Sequence, residues 1–232
     1  MTIRSLRTTL SLCATVALPT FAAAQTVTAT PGTQHVVRGT IEETATGSSM
    51  SGMRLTATFA DNATLTGTWG FLSGGLFSPF YGVEFGDRLR VRHRDTDTFF
   101  PPYWDIRQLG GARITSLTFD GAPGNTVFDR TFGFTMGTPG SSFGTDFFAL
   151  IGGTTAVYSN VVSVAPNAPV GDLYATLTVD FATALPKSGA SFLLDTDRVQ
   201  GRIGVVPEPS TYALMGTGLA GLLAAARRRT RA

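Results

Sequence analysis

The chain has 232 residues, 18 Lys+Arg against 16 Asp+Glu, and one cysteine. The charge is unevenly placed: residues 25–206 hold 12 basic and 15 acidic residues, so the basic excess belongs to the two ends. That balance argues against a nucleic-acid-binding body, and a lone Cys13 excludes a disulfide framework or a Cys-based metal centre.

In chain order, the first 24 residues read as a secretory signal peptide. Arg4 and Arg7 form a basic n-region, Leu10 to Leu18 is apolar, Pro19 breaks the run, and Ala22-Ala23-Ala24 precedes Gln25 as a small-residue cleavage site. The apolar core is too short for a transmembrane helix. Cys13 follows Leu12 and precedes more apolar residues, which does not fit a lipoprotein site. The expected partner is signal peptidase, and the expected mature chain has no cysteine.

Residues 25–204 are predicted as one all-β domain. Apolar alternation and turn residues recur at short intervals. Gln34 to Glu42 alternates loosely. Met53 to Phe59 alternates, turns at Asp61-Asn62, and returns as Thr64 to Leu72, a hairpin. Ser73 to Gly82 reads as a Gly/Ser/Pro-rich loop. Arg88 to Arg94 carries a cation at every second position and reads as a surface strand. Ile106 and Ala112 to Phe119 flank Gly110-Gly111. Val127 to Phe134, Thr155 to Ala165, Asp172 to Phe181, Ser191 to Leu194 and Gln200 to Val206 complete the series. No stretch repeats at three and four residues, and frequent Gly and Pro oppose long helices. The fold class expected is a jelly-roll-like β-sandwich, with a closed barrel as the alternative. The 17 Phe residues are spread along the strands, as a sandwich core requires.

Candidate chemistry is sparse. Asp195-Thr196-Asp197 sets two carboxylates on one side of an extended chain, a pair that could begin a calcium site; Asp95-Thr96-Asp97 repeats the spacing. The competing reading is a solvated turn in which Asp caps backbone amides. No other cofactor is expected. Phe99-Phe100-Pro101-Pro102-Tyr103-Trp104 is an aromatic cluster. Phe100, Tyr103 and Trp104 are either a platform for sugar rings or a cover for the open end of the core; Phe77, Phe80 and Tyr81 form a second set. The turn Asp120-Gly121-Ala122-Pro123-Gly124-Asn125 is either a tight strand connection or a presenter of backbone oxygens to an ion or sugar. Asp129-Arg130 reads as a local ion pair. No catalytic residue is nominated: His35 and His93 lack a nucleophile elbow or a metal partner at helical spacing, and His93 reads as a neutral surface residue. A glycosidase would need only two carboxylates, so a glycan-active hydrolase ranks third among the functions.

The last stretch, 205–232, is ordered in three parts. Pro207-Glu208-Pro209 is a stiff joint. An apolar segment follows through Ala226, interrupted by Gly216, Thr217, Gly218 and Gly221. Arg227, Arg228, Arg229 and Arg231 then hold the end on the cytoplasmic side of a membrane. A helix over Thr211 to Ala226 would be about 24 Å long at 1.5 Å per residue, short of a hydrocarbon core of about 30 Å. This order of features resembles the PEP-CTERM sorting signal of exopolysaccharide-producing Gram-negative bacteria. Met53 to Trp69, Ser116 to Arg130, Thr138 to Ser142, Gly171 to Tyr174 and Phe192 to Asp197 also look like segments of PEP-CTERM proteins of unassigned activity.

The resemblance implies a single spanning helix that holds the exported protein in the inner membrane. It also implies an exosortase-type membrane peptidase that cuts near Pro207-Glu208-Pro209. Cell-surface or extracellular release then follows, with exopolysaccharide as a further partner. The function expected is a non-catalytic structural or adhesive component of the surface or biofilm matrix. The alternative is a carbohydrate-binding module, with calcium a candidate ion.

Overall fold

The computed structural model describes residues 25–30, 32–42, 45–74, 79–98, 103–130, 137–138, 141, 144–206 and 214–222. The expected signal peptide lies outside them, as do Phe100, Pro207, Glu208, Pro209, Arg227, Arg228, Arg229 and Arg231.

The described body is all-β. Its strands are β1 (Thr26–Ala29), β2 (His35–Glu42), β3 (Arg54–Phe59), β4 (Thr64–Thr68), β5 (Gly70–Ser73), β6 (Phe80–Phe85), β7 (Leu89–Arg94) and β8 (Trp104–Gln108). Then come β9 (Ile114–Asp120), β10 (Thr126–Asp129), β11 (Phe148–Ala149), β12 (Thr154–Val164), β13 (Leu173–Phe181), β14 (Ala190–Leu193) and β15 (Thr196–Val205). The expected hairpin forms, with Arg54 opposite Thr68 and Thr58 opposite Thr64. Its second arm does not run on to Leu72. The chain changes sheet at Trp69, so β4 and β5 belong to different sheets. Trp69 is buried and its Nε1–H donates to the Gly47 carbonyl at 2.8 Å, which pins the crossing point. The Ser73–Gly82 stretch, expected as a loop, already contains the start of β6.

One sheet contains nine strands and the other six, in the order β11-β14-β8-β7-β6-β5. They pack face to face. Leu55, Phe59, Leu117 and Phe119 of the first meet Val83, Leu89, Val91 and Phe192 of the second in one buried cluster, the two-layer solution for sheets with one apolar face each.

The nine-stranded sheet does more than form a layer. The hairpin β12–β13 is its spine, paired from Thr154–Phe181 to Val161–Tyr174. Near one end it is flanked by β1 and β9. Near the other it is flanked by β2 and β10, and β15 bridges those two. Strands β12, β2, β15, β10 and β13 therefore pair in a closed ring. Val37, Ile41, Val127, Val162, Leu173, Ala175 and Val199 fill it as a second, smaller core. Every ring strand contributes to that filling. Side-chain alternation lets β10 serve both cores, with Val127 in the ring and Phe128 in the sandwich. The sandwich and barrel readings of the sequence thus meet in one sheet.

At the C-terminal end, residues 214–222 are helical. Nine residues rise about 13 Å, and among the described residues no helix is long and apolar enough to cross a membrane. Leu214, Met215, Leu219 and Leu222 are all exposed.

Candidate functional site

For Trp104 the structure shows the core cover and not the exposed platform. This residue opens β8 with no exposed surface. Its ring stacks on Phe192 at 5.6 Å and 19°, tilts against Trp69 at 4.9 Å, and meets Phe119 edge-on at 5.8 Å. Its Nε1–H donates to the Leu194 carbonyl at 3.1 Å. A ring enclosed on all these sides has no face left for a sugar. Tyr103, one residue earlier, is 40% exposed, as strand alternation dictates. His93 is also inside and not on the surface. It lies 5.2 Å from the Trp104 ring, and its Nδ1–H donates to the Arg94 carbonyl. Its strand β7 turns Leu89, Val91 and His93 inward. The alternating arginines face outward, with Arg92 bonded to Asp105 at 2.8 Å and Arg90 3.7 Å from Glu84. Phe80 of the second aromatic set lies beneath the Arg92 guanidinium at 4.3 Å, and Tyr81 meets the exposed Phe71 edge-on.

The acidic pair Asp195 and Asp197 is brought into a buried carboxyl cluster where β10, β13 and β15 meet. Asp129, Asp195 and Asp197 are each at most 1% exposed. The Ser141 hydroxyl bonds both Asp129 and Asp197. The expected Asp129–Arg130 pair does not form. Neighbouring strand residues point to opposite faces, and Arg130 instead bonds Asp146 at 3.0 Å. Asp172 nearby accepts from Thr138 Oγ1 at 2.8 Å. Among the described residues, Asp195 Oδ2 accepts no hydrogen bond. Burial, and then the charges of Asp197, Asp129 and Asp97, push the Asp195 carboxyl up to about 9. It therefore carries a proton at neutral pH. Among the described residues, no group of three or more His, Cys, Asp or Glu side chains is arranged to hold a metal ion. At the other repeat of this spacing, Asp95 Oδ1 accepts from the Ser48 amide at 2.8 Å, the turn-capping role. Burial lowers His35, with Asp120 opposing the shift.

A third place was only half visible in the sequence. The outer face of β2 and β15 floors a cavity of about 850 Å³. The loop through Ser48 to Ser51 walls one side, and the end of the Asp120–Asn125 turn walls the other. Glu42, Ser48, Ser51, Asn125, Arg198 and Gln200 line it, and among the described residues no aromatic side chain does. The turn is a single 3₁₀ element, Ala122–Gly124, ending in a left-handed Asn125 with φ +50°. Asn125 closes the turn that the sequence predicts over Asp120–Asn125. Arg198 and Gln200 carried no signal, because only strand pairing sets them beside Glu42.

No curated protein and no solved structure matches the chain significantly. Residues 205–229 match the family model described as the PEP-CTERM protein-sorting motif. That motif indicates an exported protein targeted to an exosortase, a membrane protease, and it is consistent with C-terminal membrane anchoring before processing. The chain is a protein that carries a PEP-CTERM sorting domain behind its β-body.

Proposed function

We propose that the β-body is a non-catalytic structural or adhesive component of the cell surface, delivered there by its C-terminal sorting domain and retained with exopolysaccharide. The carrying observation is the sorting motif at 205–229, which dedicates the end of the chain to delivery. The interior supports a passive role. His93 packs beside Trp104, and the Asp195 carboxyl is held protonated inside the fold. Both groups lie inside the fold, away from any surface a polymer could reach, which favours the passive reading.

The test is retention. Cells able and unable to make exopolysaccharide are fractionated, and the protein is followed by immunoblot. Matrix retention that disappears in the polysaccharide-deficient cells supports the proposal. Equal release from both strains, or a hydrolytic activity on the polysaccharide, overturns it.

A further inference from the structure

The cavity on β2 and β15 has the composition of a polar-ligand site. Its floor is hydrogen-bonded strand, and among the described residues every lining side chain except Val199 is polar. An apolar ligand would have almost nothing to bury there.

The walls are held rigid by their own hydrogen bonds. The Thr46 amide donates to Ser49 Oγ at 2.7 Å, the Ser51 hydroxyl donates to the Ser48 carbonyl at 2.7 Å, and the Ser48 amide is capped by Asp95. The two walls also brace one another. A Cβ on Gly124 would lie 2.4 Å from the Met53 amide nitrogen, and one on Gly52, at φ +100°, would lie 3.1 Å from the Pro123 carbonyl. Glycine is required for that approach. A rigid wall loses little entropy when a ligand arrives.

Two groups above the floor are left for a ligand. Among the described residues, Arg198 has no ion-pair partner within 4 Å, although Glu42 is its cross-strand neighbour. Glu42 instead accepts from Gln200 Nε2. The Asn125 backbone carbonyl is used by the Val199 amide at 2.8 Å, while its side-chain amide has no protein partner among the described residues. An amide that both donates and accepts, next to a forked guanidinium, suits hydroxyls beside a carboxylate. Among the described lining residues Arg198 is the one cation and Glu42 the one anion, so the groove offers a single forked anion contact, which suits a ligand with one charge and not the several charges of a nucleotide polyphosphate. With no aromatic stacking face among the described residues, affinity per site is weak and useful chiefly on a repeating polymer.

We infer that this groove is a glycan subsite that selects a sugar carrying one carboxylate, a hexuronate, with Arg198 as the anion partner and Asn125 bonding hydroxyls. The inference takes its ligand class from the extracellular reading above, and its geometry from the groove alone.

The experiment titrates the purified full chain, in detergent, with tetragalacturonate and with uncharged cellotetraose, by calorimetry and by NMR shift mapping. Saturable binding of tetragalacturonate is expected, weakened about tenfold or more in Arg198→Gln and also weakened in Asn125→Ala, with cellotetraose at least about tenfold weaker throughout. Three results would overturn it: no saturation with tetragalacturonate, unchanged affinity in both variants, or equal affinity for the neutral sugar. Retention in cells separates this inference from the matrix proposal. If wild type and Arg198→Gln are held equally by the matrix, the subsite fails and the matrix role stands. If binding depends on Arg198 but the protein is released with or without polysaccharide, the matrix role fails and the subsite stands.

Discussion

The Trp104 indole lies stacked on the Phe192 ring, centroids 5.6 Å apart and planes 19° from parallel. The two residues pair across β8 and β14. This contact joins two strands of the smaller sheet, and Phe119, edge-on to Trp104, joins them to the larger one.

Trp104→Ala should therefore act as a core deletion. It should cost about 3–5 kcal/mol in urea denaturation, as large aromatic truncations do, with Trp104→Phe costing clearly less. A change within about 0.5 kcal/mol would mean that the ring is solvated and that the platform reading deserves revival.

Asp195 predicts a pH dependence. Its folded pKa of about 9 stands above the ordinary 3.8. Between about pH 4 and pH 9 the folded chain holds a proton that the unfolded chain has released. The stabilisation is fully present below about pH 4 and is lost as pH rises toward 9, with a slope of at most about 1.4 kcal/mol per pH unit. Asp195→Asn keeps the group neutral and removes that slope. Denaturation at pH 5, 7 and 9 should show the variant gaining on wild type as pH increases; parallel profiles would refute the buried proton.

A calcium ion at Asp195 would have to displace that proton, since a carboxylic acid lacks the charge a hard cation seeks. Melting at pH 7 should be equal in 5 mM calcium and in EDTA, to within about 1 °C. A calcium-dependent rise of several degrees would establish the carboxyl cluster as a metal site.

Gly124→Ala tests the bracing of the two groove walls. The added methyl meets Met53 and Met50 backbone atoms at 2.4 and 2.9 Å, and backbone cannot swing aside like a side-chain tip. A loss of about 1–3 kcal/mol is expected, together with NMR shifts confined to Ser48–Met53 and Val199. An unchanged melting temperature would show that the walls do not touch.

Replacing Pro207, Glu208 and Pro209 by alanine should leave uncleaved precursor in the membrane fraction. Immunoblotting for the full-length species checks this. Normal release of the triple variant would dissociate processing from the motif.

Much of the architecture was legible because strand alternation and turn chemistry are local. The Arg54–Phe59 hairpin, β8 and β9 around Gly110-Gly111, and β12 and β13 all lie close to where the apolar pattern placed them. Three departures share one cause. The sheet change at Trp69, the inward turn of His93 and the separation of Asp129 from Arg130 depend on which face of a strand meets which neighbour. A single strand records two faces and does not say which partner covers either. Phe80 shows the same limit: a Gly-rich approach reads as loop until β7 supplies the pairing edge.

The sequence by itself determined the address and the class: an ordered Pro-Glu-Pro, apolar and arginine tail, and a body of short alternating strands. These are signals carried by neighbours in the chain. Tertiary structure alone decided between core and platform for Trp104, closed five strands into a ring around Val37 and Val199, and set Arg198 beside Asn125 over a polar groove. Each of those depends on residues from about 70 to 160 positions apart being brought together by sheet pairing, where burial and backbone hydrogen bonding of the whole fold set the partners.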